Sequence, residues 1–379
     1  MTTIRPFELA VPQEQIDELY HRIDIARWPE RETVDDWSQG VPLAALRELV
    51  GYWRNGYDWR ACESRLNGLG QFVTEISGLD IHFIHVRSAH ENAMPLILTH
   101  GWPGSIIEFL DAIGPLTDPD AHGGRAEDAF HVVIPSLPGY GFSGKPSSRG
   151  WDVHGIGKAW AELMRRLGYD KWFAQGGDWG SIITHIMGAQ APQGLIGIHT
   201  NMPVARTTRE DYVDPNAEEK AAIEAGISYK EQDSGYSTQQ STRPQTIGYS
   251  LVDSPVGLAG WIYEKMWRWT DNDGKPEDAL SRDTILDNIM LYWLPQTGAS
   301  AARLYWESFG EIGKSPPVLL PAGVSNFPKE ITKAPRKWSE RILKNIVYWN
   351  YCDKGGHFAA WEQPEIFAAE LRKCFALMR

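Results

Sequence analysis

The chain has 379 residues, 42% of them hydrophobic, with 17 Trp and a formal net charge of -12 at pH 7. That supply of apolar side chains supports a packed, ordered core, while the acidic balance and the lack of a Lys/Arg-rich run exclude nucleic acid as a partner. No apolar stretch approaches the ~20 residues that span a bilayer, so no membrane anchor is expected. Cys62, Cys352 and Cys374 form no CxxC pair and read as reduced thiols in a cytoplasmic setting.

The length exceeds one average domain and predicts a core that carries an extension or insertion. Ile16, Leu19, Tyr20 and Ile23 fall at helical spacing after Pro12, and a second helix is expected from Pro42 towards Trp53. Residues 1–69 are therefore read as a helical extension that packs against the main domain. After Gly70 the period changes to that of strands. Gln71 to Ile76 and Ile81 to Val86, separated by Ser77-Gly78-Leu79-Asp80, predict a hairpin.

Further strands are predicted at Pro95 to Thr99, His131 to Ile134, Trp172 to Gln175, Leu195 to His199, Val318 to Ala322 and Ile346 to Tyr351. Helical stretches alternate with them, the pattern of an α/β fold with a mostly parallel sheet and helices on both faces. Residues 204–312 are too many for an ordinary connection and predict an inserted helical lid, with Thr207 to Ser241 as its most flexible part. The core thus divides into residues 70–203 and 313–379.

The chemistry concentrates where a strand meets a helix at Gly176-Gly177-Asp178-Trp179-Gly180-Ser181. This has the form of a nucleophile elbow with Asp in place of Ser. A serine attacks acyl groups, whereas a carboxylate can displace at an sp³ carbon and leave an alkyl ester of itself. Placement at a helix N-terminus favours the negative charge. The blander alternative is an Asp that merely caps the helix.

Three further features favour the elbow. His100-Gly101-Trp102-Pro103-Gly104-Ser105 follows the strand ending at Thr99, where this fold takes a second oxyanion-hole donor, so the backbone N–H groups of Trp102 and Trp179 are the expected pair. Gly355-Gly356-His357-Phe358 follows the last strand and suits a general base. The nucleophile, acid, His order calls for a carboxylate after the preceding strand. Glu330 occupies that loop, and Asp353 is the competing choice. His82 and His85 lack a third ligand and are read as non-metal. Gly139 to Lys145 matches GxGxxG and nearly a P-loop, but Pro146 breaks the helix that either motif must open. Neither a cofactor nor a metal is called for.

With Arg27-Trp28-Pro29 and Asp36-Trp37 in the extension, these motifs give the chain a resemblance to the microsomal-type epoxide hydrolases, in their soluble bacterial and fungal branch, within the α/β-hydrolase superfamily. The resemblance covers nearly the whole chain. It implies a small-molecule epoxide substrate, a covalent ester on Asp178, and two lid tyrosines that hold the epoxide oxygen. These look like Tyr236 and Tyr305, and Glu330 coincides with the family's acid. Microsomal members carry an N-terminal anchor that this sequence lacks. Lid aromatics Trp261, Trp267, Trp269, Trp293 and Trp306 suggest an apolar or aryl substrate, with more than half of them read as packing, and a homodimer is compatible with the sequence. The rival readings are a haloalkane dehalogenase using the same Asp, and a non-catalytic ligand-binding protein of the same fold.

Overall fold

Among the residues described by the computed structural model, 3–314 and 316–379, nine strands build one sheet. They are β1 (Arg5–Pro6), β2 (Gln71–Ile76), β3 (Leu79–Val86), β4 (Met94–Thr99), β5 (Phe130–Pro135), β6 (Trp172–Gly176), β7 (Leu195–Thr200), β8 (Ala322–Asn326) and β9 (Ile346–Tyr351), in the order β1-β2-β3-β5-β4-β6-β7-β8-β9. Neighbours run antiparallel along β1-β2-β3-β5 and parallel from β5 to β9. The central parallel strands β4, β5 and β6 are covered by helices on both faces and bury almost every side chain.

Two strand expectations need correction. The hairpin turn is only Ser77-Gly78, with φ of 53° and 79°, and β3 starts at Leu79 rather than Ile81. Positive φ at both central residues gives the twist that joins antiparallel strands in two residues. The predicted strand Val318 to Ala322 is displaced: Val318 makes a lone bridge to Leu343, and β8 begins at Ala322. Pro321 has no N–H to extend the ladder. The true strand contains small residues because the helix Pro364–Ala376 lies close against it. A Cβ on Gly323 would sit 2.0 Å from Cys374 Sγ.

Between β7 and β8 lie six longer helices, Ala217–Ser228, Gly235–Thr242, Pro244–Asp253, Pro255–Trp269, Arg282–Trp293 and Gly298–Ser308. The polar stretch expected to be the most flexible part of this insertion is thus largely helical, opened by an Asn216/Glu219 capping box. The extension adds helices Gln13–Asp24, Leu43–Asn55 and Trp59–Asn67, plus β1 at the sheet edge. Its tyrosines reach the insertion: Tyr57 and Tyr52 donate to Asp287 at 2.7 Å and to Asp283 at 2.6 Å. Loops at the carboxyl ends of β4, β6, β8 and β9 meet beneath the insertion, where open α/β sheets hold their ligands.

Candidate active site

Asp178 occupies the turn between β6 and the helix Trp179–Gln190 with φ 50° and ψ -128°. A non-glycine residue held there is strained, and only tight surroundings maintain it. Those surroundings are glycines. A Cβ on Gly176 would lie 2.0 Å from the Gly180 carbonyl oxygen, and one on Gly180 would lie 1.9 Å from that of Thr99. Gly101 must also lack a side chain, since its Cβ would fall 2.1 Å from Asp178 Oδ1. The sharp turn thereby lifts the carboxylate out of the sheet. The Trp102 N–H donates to Asp178 Oδ1 at 2.8 Å, and the Trp179 N–H, first in its helix, has no intrahelical acceptor.

His357 presents Nε2 to Asp178 Oδ2 at 3.3 Å and Nδ1 to Glu330 Oε1 at 2.7 Å. All three side chains come from loops after different parallel strands. Burial opposes the charged imidazolium, but the Glu330 charge, with the hydrogen bonds to Asp178 and Glu330, outweighs it and holds the His357 pKa well above the usual histidine value. Glu330 is buried, whereas the competing Asp353 is exposed. Lys329 and Gly355 share a backbone hydrogen bond of 3.1 Å that ties the Glu330 loop to the histidine loop.

Tyr236 and Tyr305 come from the helices Gly235–Thr242 and Gly298–Ser308 of the insertion, with ring centroids 5.8 Å apart. Tyr236 stacks on Trp102 at 4.8 Å, and Tyr305 meets the edge of Trp179 at the same distance. Burial first, and the Asp178 charge among further causes, raise both phenols well above their ordinary pKa, so both keep their protons. With Asp178, Trp179, Tyr229 and Phe309 they line a cavity of about 290 Å³. Every site residue expected from sequence is therefore drawn to one place.

Several neighbours carried no sequence signal. Tyr229 shares a 2.9 Å hydrogen bond with the Tyr236 hydroxyl. Glu362 accepts from the N–H groups of Gly356 at 3.0 Å, Phe358 at 3.0 Å and Asp271 at 2.7 Å, bracketing His357 on both sides. Lys265 lies 4.6 Å above the Tyr236 ring and pairs with Asp233 at 2.6 Å, while Trp269 Nε1 donates to the same carboxylate. The contacts of Asp271 and Lys265 join residues distant along the chain, and those of Tyr229 and the histidine loop depend on turns that no helical or strand spacing encodes.

The tryptophans of the insertion pack rather than line the site. None of the five lines the 290 Å³ cavity. Trp267 stacks on Trp37 of the extension at 4.8 Å, Trp269 packs on His357, Trp261 meets the edge of Trp102, Trp293 lies under Arg22, and Trp306 lies under Arg149 with 46% exposure. His82 bonds Ser136 and Gln71, and His85 bonds Tyr169. No group of three or more His, Cys, Asp or Glu among the described residues could hold a metal. No helix among them is long and apolar enough to cross a membrane.

The family profile described as "Epoxide hydrolase N terminus" matches residues 4–109, and that of the "alpha/beta hydrolase fold" matches residues 94–224. A Stigmatella aurantiaca protein that carries an epoxide hydrolase name is 56% identical over 99% of this chain and 86% of its own length. Epoxide hydrolase 1 of Sus scrofa is 36% identical over 99% of this chain and 89% of its own. Among solved structures, the Bombyx mori juvenile hormone epoxide hydrolase superposes with a TM-score of 0.91 at 31% identity, covering 100% of this chain and 95% of that one. The Aspergillus niger epoxide hydrolase gives 0.88 at 32% identity, with coverage of 100% and 97%. On this sequence kinship and shared architecture, the chain belongs to the epoxide hydrolase family of α/β-hydrolase enzymes.

Proposed function

We propose that this protein opens epoxides to vicinal diols through an ester on Asp178. One arrangement carries the reading: a carboxylate stands at the elbow, 3.3 Å from His357 Nε2, in a cavity that two protonated phenols share. Asp178 attacks a ring carbon, the C–O bond breaks towards oxygen, and Tyr236 or Tyr305 supplies the proton that an alkoxide leaving group needs. His357, oriented by Glu330, then takes a proton from water, which attacks the ester carbonyl. The N–H groups of Trp102 and Trp179 hold the oxyanion. Collapse expels the diol oxygen, which takes the proton from His357, and the proton left on the regenerated carboxyl group returns to the tyrosinate.

The aromatic and aliphatic lining, with Trp179, Phe309, Ile182 and Val204, supports an apolar or aryl epoxide. We assign residues 70–203 and 313–379 to the catalytic core and 204–312 to the lid. Free Cys62, Cys352 and Cys374 support a cytoplasmic setting. The test is His357→Gln treated with a styrene-type epoxide. Mass spectrometry is expected to find a stable adduct on Asp178. Intact substrate binding with no adduct would overturn the mechanism.

A further inference from the structure

Hydrolysis of an ester on Asp178 needs a water molecule on the side of the carboxylate that faces His357. The substrate cavity is shared with the phenols, and the alkyl group fills it once the ester has formed. A second, much smaller cavity also touches Asp178. It measures about 10 Å³, close to the ~10–15 Å³ in which a single water fits, and it is walled by Gly101, Glu108, Asn201, His357 and Phe358. Such a water also needs two to four polar partners. Asp178, His357, Glu108 and Asn201 supply them, with Asn201 fixed by a 2.9 Å hydrogen bond from Gln175.

Glu108 has no part in the mechanism given above. It sits in the short helix Ile106–Ala112 that follows the Trp102 loop, and that loop is shaped around it. A Cβ on Gly104 would fall 1.5 Å from Glu108 Oε1, so glycine is what admits the carboxyl group. The backbone N–H groups of Gly101 and Ser105 donate to it.

We propose that this small cavity seats the water that hydrolyses the ester, and that Glu108 holds that water for His357. The inference rests on the covalent reading. Water donates one proton towards His357 Nε2 and the other to Glu108, which leaves a lone pair facing the ester carbon. Charge supports the assignment. Burial raises the Glu108 pKa to about 8 against the pull of the His357 charge, and the negative charge of Asp178 adds to the rise. Alkylation neutralises Asp178, so the carboxyl group ionises more readily once the ester exists, when an acceptor is needed.

Glu108→Gln is the direct test. Whichever way the amide turns, its NH2 faces either a backbone N–H donor or the water, occupying the lone pair that must attack. Wild type, Glu108→Gln and Ala360→Val, which narrows the same cavity at another lining residue, would be mixed rapidly with styrene oxide, and ester formation and decay followed by quenched mass spectrometry. In both variants hydrolysis is expected to slow about tenfold or more, alkylation to stay within about threefold, and the Asp178 adduct to accumulate. Unchanged hydrolysis in both, or equal slowing of both steps, would overturn the assignment of Glu108. His357→Gln run alongside separates the outcomes. If it forms no adduct, the covalent reading itself has failed. If it forms one while Glu108→Gln and Ala360→Val turn over normally, only the water seat is wrong.

Discussion

The two halves of the site are held in different ways. The core half, Asp178 with the N–H groups of Trp102 and Trp179, is fixed by backbone. A strained turn closes because Gly176, Gly180 and Gly101 leave no room for anything but hydrogen, and the Trp102 N–H seats one carboxylate oxygen. The other half, Tyr236 and Tyr305, is fixed by side chains: stacking on Trp102, an edge contact with Trp179, a hydrogen bond shared with Tyr229 and the Lys265–Asp233 pair. Backbone geometry tolerates no substitution but is indifferent to its wider surroundings. Side-chain geometry can change residue by residue, and it is where related enzymes can differ in the epoxides they accept.

Removing the tyrosine half should leave the core half folded but idle. The double variant Tyr236→Phe/Tyr305→Phe is expected to lose about 10⁴-fold in alkylation rate, with a melting temperature lowered by no more than about 4 °C. Stopped-flow Trp fluorescence with burst analysis would measure it. Retention of more than about a tenth of the rate would mean that the ring oxygen has another proton donor.

Glu330→Gln tests the coupling of His357 to its orienting carboxylate. The expected loss is about 10³-fold in ester hydrolysis. The Glu330 charge is one of the causes that raise the His357 pKa, so its loss lowers that pKa. Because only the neutral imidazole accepts a proton from water, the acid limb of the hydrolysis rate should move to lower pH. A pH profile of single-turnover decay checks the sign, and a shift to higher pH would reverse the argument.

Gly180→Ala attacks the core half through its backbone. The added methyl group cannot stay 1.9 Å from the Thr99 carbonyl oxygen, so the elbow must open. A displacement of this kind costs about 100-fold in activity and about 1–3 kcal/mol in stability, read by kinetics and thermal melting. Tyr229→Phe is the mildest change. Loss of one hydrogen bond to the Tyr236 hydroxyl, worth about 1 kcal/mol, should slow alkylation about fivefold and leave hydrolysis of the ester untouched.

The difference between the halves also decides what could be read from sequence. Glycines at fixed spacing around Asp178, and a glycine-flanked histidine after the last strand, are local signals of a backbone shape. They pointed to Asp178, His357, Trp102 and Trp179. The two lid tyrosines have no such signature, and only family resemblance picked them out from the other tyrosines. Tyr229, Glu108 and Glu362 have no such signature either: most of their hydrogen-bond partners lie within seven residues, but in turns and loops whose course the side-chain pattern does not reveal. β8 was misplaced because an apolar run next to proline outweighed a strand of small residues, whose size is set by the helix pressed against it. The tryptophans of the insertion were readable as packing but not by partner: aromatic content marks burial, and only the assembled fold shows what each ring is buried against.

The way the roof is joined to the floor has a consequence for traffic. The lid carbonyl of Trp269 accepts from the His357 N–H at 2.9 Å, and the lid residue Asp271 both donates to Glu362 and accepts from the Gly355 N–H at 2.9 Å. Lifting this end of the roof would break the backbone bonds of the loop that carries the histidine, so the segment above His357 is expected to stay seated while substrate and product exchange.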